Sequence, residues 1–160
     1  MEALGHSVRL AGLADWSRQH IRDIFEAPTE EQALKAISST FSADINASIN
    51  GSPIKKEDIK NLVLAMRRSS AGGLKVQWQQ AVEVPKDPLT NREGSFGGVY
   101  VIRGITKMVP GHDKPVEFER HKTVTVKIES LSSDPSYDSR RIVNLVFVAS
   151  DVRVHRQATL

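Results

Sequence analysis

Two side chains in this 160-residue sequence, Asp44 and His121, could act as a base if the fold shelters them. A carboxylate or imidazole held among apolar groups is shifted toward the range in which acid–base chemistry runs at neutral pH. Asp44 follows a helical pattern, where it could point inward or equally bond its neighbours' backbone, as short acidic side chains do at helix ends. His121 shares its strand parity with Glu117, Glu119, Thr123, Thr125 and Lys127. Alternation places so polar a set on the wet face of a sheet. His6, His20, His112 and His155 lie in a tail, a helix, a loop and a terminus, and none pairs with metal-ligand spacing. No metal and no cofactor is expected.

The aromatic side chains offer contact rather than chemistry. Trp16, beside Asp15 on the first helical segment, and Trp78 and Tyr100 on strands are candidate ligand contacts, or core. Tyr100 and Arg103 have opposite parities, so at most one of them faces an enclosure. Gly94-Ser95-Phe96-Gly97-Gly98 has the glycine content of a phosphate cradle but no helix after it. Glycine at a strand entrance more often permits a bulge or sharp curl.

The elements that must position these residues fall into two halves. Leu10, Leu13, Ala14, Ile21, Ile24 and Phe25 recur at helical spacing over Arg9 to Glu26, and Pro28 stops the run. Thr29 then caps a second helix, with Gln32 placed to complete a capping box and Ala33, Leu34, Ile37 and Phe41 as its apolar stripe. Asn50-Gly51, both tolerant of positive φ, marks a two-residue hairpin turn. A third helix over about Lys55 to Ser70 presents Ile59, Leu62, Val63 and Met66 on one face and ends at Ala71-Gly72-Gly73. From Leu74 the period changes from about 3.6 to 2. Leu74, Val76, Trp78, Val82 and Val84 form one inward set, and strands follow over about Phe96–Val109, Val116–Ile128 and Arg141–Arg153. The second and fourth of these strands are apolar on both parities, so something besides the helices should cover the other sheet face. A homodimer is the expected cover, since cyclic dimers are the commonest soluble oligomers, ahead of strong local curvature that buries part of both faces within one chain.

Composition narrows the classes. A chain of 17.7 kDa supports one domain with a proper core. The absence of cysteine excludes disulfides, thiolate metal sites and cysteine nucleophiles. No apolar run approaches the roughly 20 residues of a membrane span, and the N-terminus shows no signal pattern. A cytoplasmic protein is expected. The net charge is only +3, and Lys55-Lys56, Arg67-Arg68 and Arg140-Arg141 lie apart from one another. Nucleic-acid binding, which wants a concentrated basic stripe, is not expected.

The run Phe41-Ser42-Ala43-Asp44 through Asn50-Gly51-Ser52-Pro53-Ile54-Lys55-Lys56-Glu57-Asp58-Ile59 resembles the helix end, hairpin and helix entry of the nuclear-transport-factor-2-like superfamily, and within it the SnoaL-like group. The order of elements over about residues 10–154 is similar too. The resemblance implies a single α+β domain spanning 1–160. In it, three N-terminal helices pack on a highly curved, mainly antiparallel sheet and leave a conical pocket, and the other sheet face often mediates dimerisation. Enzymes of this shape include isomerases, cyclases and dehydratases. In isomerase-like members the base falls near the positions of Ser48 and Ile49, which cannot accept a proton here. Two functions follow. One is a small-molecule-binding protein whose apolar cone takes an apolar metabolite, with Asp44 and His121 as catalytic candidates and Trp78, Tyr100 and Trp16 as ligand contacts. The other is a non-catalytic dimeric interaction module, its cone filled by Trp78, Phe118 or Phe147.

Overall fold

Thr29 starts the second helix as a capping residue should, its Oγ1 accepting the backbone N–H of Gln32 at 3.1 Å. In this computed structural model, which describes residues 8–155, that helix is α2 (Glu30–Thr40), preceded by α1 (Leu13–Phe25). α1 turns Leu13, Trp16, Ile21, Ile24 and Phe25 into the core. Phe41 is not the last residue of the α2 stripe but the first of β1 (Phe41–Ile49), extended at φ −105° and ψ 137°. Its pairing with Ile142 accounts for the early end of the helix.

At the hairpin, Asn50 and Gly51 take φ values of 49° and 85°, the signature of a type I′ turn. β2 (Ser52–Ile54) returns from it and leads into α3 (Lys56–Arg68). The Asn50 side chain then reaches out of the turn. Its Nδ2 donates to the Ala149 carbonyl at 3.1 Å and its Oδ1 accepts the Ala149 N–H at 2.8 Å. One amide thereby fastens the hairpin to a strand almost a hundred residues away.

Four long strands complete the chain: β3 (Lys75–Pro85), β4 (Gly94–Lys107), β5 (Val116–Ser130) and β6 (Arg140–Arg153). They join the hairpin in one six-stranded sheet of order β2-β1-β6-β5-β4-β3. Every pairing is antiparallel except β1 with β6. The helices and the inward strand residues share one core that includes Phe96, Tyr100, Ile102, Val124, Ile142 and Phe147.

Bulges decide which side chains reach that core. The β3–β4 register shifts between Trp78 and Gln80, and one extra residue reverses the parity beyond it. Val82 and Val84, expected inward with Leu74 and Val76, are therefore 68% and 63% exposed. A second shift between Ile102 and Ile105 contains Gly104 at φ +94°. A Cβ there would lie 2.5 Å from the carbonyl oxygen of Gly73, and Thr106 Oγ1 donates to the Ser69 carbonyl beside it. The bulge thus docks β4 against the exit of α3. Gly104→Val should lower stability by about 2 kcal/mol or more, since it adds both positive-φ strain and a backbone clash. Urea unfolding reads this directly, and an unchanged midpoint would refute the docking role.

Candidate functional site

The inner side of β5 is where the apolar pattern breaks. Phe118, Val124, Val126 and Ile128 share one parity, and the two positions between Phe118 and Val124 on it are Arg120 and Lys122. The ladder sets Lys122 between Tyr100 of β4 and Ala149 of β6. Both charges are thereby carried to the helix-covered face, where α1 and α3 close over them. A small cavity of about 40 Å³ lies there, lined by Ile24 and Phe25 of α1, Val63 and Met66 of α3, and Val124 and Phe147 of the sheet. Tyr100, Arg120 and Lys122 complete its wall.

Lys122 is only 9% exposed. Its Nζ stands 4.3 Å from the centroid of the Phe147 ring, 5.2 Å from that of Tyr100 and 5.3 Å from that of Phe25. Three ring faces are good company for a cation, but they do not replace water or a carboxylate. Burial, assisted by the positive charge of Arg120, pushes the amine down to about 7, and no carboxylate among the described residues opposes the shift. Tyr100, 1% exposed, is moved the other way. Burial holds its phenol above the usual range, and Arg120 offsets this only in part.

Arg120 is itself committed. Its Nε and Nη2 donate to the two oxygens of Asp151 at 2.7 and 3.0 Å, and Lys107 Nζ joins the same carboxylate. The Arg120 hydrogen bonds, with help from Lys107 and against partial burial, hold Asp151 down to about 2. Such a depressed carboxyl stabilises the fold fully above its unfolded value of 3.8 and loses that contribution as pH falls toward 2. Asp151→Asn should therefore flatten the fall in stability between pH 4 and pH 2. An unchanged acid limb in urea titrations would show that the pair contributes nothing.

The residues singled out from the sequence are dispersed. Tyr100 lines the cavity; Trp16, Trp78, Asp44 and His121 do not. Asp44 is exposed on β1. His121 is exposed on the open face of the sheet, its Nε2 3.6 Å from Glu119 Oε1. Trp16 is buried against His20, ring centroids 4.0 Å apart. Trp78 backs the cavity indirectly, its ring tilted against that of Tyr100 at 4.5 Å and edge-on to Phe96 at 5.7 Å. Lys122 and Arg120 were missed, although two charges on an otherwise apolar parity were the available signal. Among the described residues no group of His, Asp and Glu is placed to hold a metal ion. Among them too, no helix is long and apolar enough to cross a membrane.

No family model matches the chain, and no curated protein matches it in sequence. Solved structures do match its fold. The hexachlorocyclohexane dehydrochlorinase LinA-type3 from Novosphingobium barchaimii aligns with TM-score 0.55 at 12% identity, covering 92% of this chain and 96% of that one. A protein of unknown function with a cystatin-like fold from Nostoc punctiforme gives 0.54 at 11% identity, covering 89% and 96%. An NTF2-like protein of unknown function from Exiguobacterium gives 0.52 at 20% identity, covering 85% and 99%. Such identities establish architecture and nothing of chemistry. With three N-terminal helices laid over one face of a six-stranded, mainly antiparallel sheet, the chain has the NTF2-like, cystatin-like fold.

Proposed function

We propose that the cone binds a small, mostly apolar molecule whose polar end meets Lys122. One observation carries this reading: an amine enclosed by three aromatic rings on the wall of an apolar cavity, with no carboxylate among the described residues to compensate it. Burying an uncompensated charge costs stability, and strongly perturbed groups in clefts concentrate at functional sites. The present cavity of about 40 Å³ has room for little more than water, whereas ligand sites begin at about 300 Å³. Binding therefore requires α1 and α3, which cover the cavity, to move away from the sheet. Met66 and Leu62 of α3 line the cavity, and methionine is the most adaptable of apolar side chains. If the bound molecule is also turned over, the reaction classes of this fold are isomerisation, cyclisation and dehydration, and a cytoplasmic location belongs to the same reading.

Calorimetry with six- to ten-carbon alcohols, ketones and carboxylic acids tests the proposal. Micromolar to low-millimolar binding that is lost in Val124→Trp, which fills the cavity, supports it. No heat from any class at millimolar concentration rejects it.

A second reading, the dimeric interaction module, has its own support in the filled state of the cone and in the open face of the sheet. There Val146 and Val148 of β6 stand 55% and 59% exposed, cross-strand from Thr125 and Thr123. Gly97 and Val99 of β4 continue the two rows, and Val82 of β3 extends the first. Apolar, β-branched and uncharged, this patch suits a second copy of itself. The chain should sediment as a dimer at tens of micromolar. Val148→Glu should give a folded monomer with unchanged circular dichroism, and a monomeric native chain at high micromolar concentration would exclude the dimer.

A further inference from the structure

We propose that Lys122 captures the carbonyl carbon of an apolar aldehyde as a reversible imine, making the cone a carbonyl-binding site rather than a passive apolar pocket. This rests on the binding reading above and names its ligand class.

The geometry supplies what such a lysine needs. Lys122 belongs to the cavity wall and its Nζ lies among the rings of Phe25, Tyr100 and Phe147 that line it, so an incoming carbon approaches it from the apolar side. A lysine paired with a carboxylate stays protonated and inert, but the nearest acid on the neighbouring strand, Asp151, is occupied by Arg120 and Lys107. Among the described residues the other elements around the amine add no acid to the cavity wall. α1 brings Phe25, α3 brings Leu62, Val63 and Met66, β4 brings Tyr100 and β6 brings Phe147, so that Arg120 and Tyr100 are the ionisable groups facing it. Desolvation in an apolar pocket and a neighbouring cation are two established means of freeing a lysine amine for attack on carbonyls. Since burial brings this amine down to about 7, a substantial share of it is free base at neutral pH. An exposed lysine offers fewer than about one amine in a thousand.

The step balances without a co-reactant. The Nζ lone pair forms a bond to the carbonyl carbon while the C=O π pair moves to oxygen. A proton passes from nitrogen to that oxygen, giving the neutral carbinolamine. The C–O bond then breaks, and oxygen leaves as water with the remaining N–H proton, leaving C=N. Nothing is oxidised or reduced. Whenever the intermediates carry positive charge, they do so against the ring faces of Phe25, Tyr100 and Phe147.

Hexanal with cyanoborohydride, which reduces an imine to a stable secondary amine, tests this on the whole chain at pH 7, with peptide mapping at each lysine. Lys122 should be alkylated at least about tenfold faster than exposed lysines such as Lys86 and Lys127, given its larger share of free amine. Its rate should fall below pH 7 and level off above it, and 1-hexanol should slow it. Lys122→Met should lose that adduct alone. If 1-hexanol binds by calorimetry but Lys122 reacts no faster than the exposed lysines, the imine is refuted and apolar binding stands. If hexanol does not bind and Lys122 shows no preference, both fall.

Discussion

Lys122→Met should raise the thermal midpoint by about 5–10 °C at pH 7, an unusual direction for a change at a buried position. Lysine and methionine have similar shapes, so the substitution keeps the packing against Phe25, Tyr100 and Phe147 and removes the charge. Replacing buried charge by well-packed apolar groups commonly gains about 1–4 kcal/mol. The pH dependence gives the prediction a second readout. The native amine titrates at about 7 against 10.5 for the ordinary group. Between those values the unfolded chain holds a proton that the native one does not. Native stability therefore rises with pH across that window, and the variant lacks the rise. The advantage of Lys122→Met should be greatest at and below pH 7 and shrink toward pH 10. Differential scanning calorimetry at four or five pH values measures both. A destabilised variant, or a gain that does not vary with pH, would mean that the amine reaches water.

The opposite result is expected at Arg140. This residue is 1% exposed, yet every part of its guanidinium is bonded. Nε and Nη2 donate to the two oxygens of Asp138 at 2.9 and 2.8 Å. Nη1 donates to the carbonyls of Ala11 at 2.6 Å and Asn91 at 3.0 Å. The Trp16 ring lies 5.4 Å from the same group. Partial burial works to raise Asp138, but the Arg140 hydrogen bonds outweigh it and hold the carboxyl below its usual range. Arg140→Met strands a carboxylate and two carbonyls at once, and should cost about 3–5 kcal/mol. That is a large share of the roughly 5–15 kcal/mol that holds a domain together. Arg140→Lys should recover little, because a point ammonium cannot serve three partners set out in a plane. Urea unfolding of the two variants decides it, and a loss below about 1 kcal/mol would show that water replaces the guanidinium.

These two residues also mark where the sequence stops being legible. Thr29 and the Asn50-Gly51 turn could be read because their reasons are local: a cap needs an N–H three residues on, and a turn needs its own φ values. The helix order and the change of period are of the same kind. The Trp78–Gln80 bulge is not. Leu74, Val76, Trp78, Val82 and Val84 share one parity broken only by Gln80, and the partner strand shows that one residue is extra and that Val82 faces out. Buried charge is harder still. Arg140-Arg141 reads as a basic pair in a turn, because its acceptors at Ala11 and Asn91 are 129 and 49 residues away. Arg120 and Lys122 did leave a trace, as two cations on an apolar parity, but their setting depends on Asp151, Phe25 and Phe147 on other elements.

The place of β6 between β1 and β5 has a consequence for how the chain comes into being. The ribosome delivers β6 after the other five described strands, yet it is the strand that joins the β1–β2 hairpin to the β3–β4–β5 meander. Until it emerges, the nascent chain carries two incomplete sheets, each with a free edge open to wrong partners. Closing them demands contacts between residues about a hundred positions apart, a topology that folds slowly. The Asn50 amide, which must wait for Ala149, acts as the latch. Synthesis of this protein therefore passes through an aggregation-prone stage just before β6 emerges.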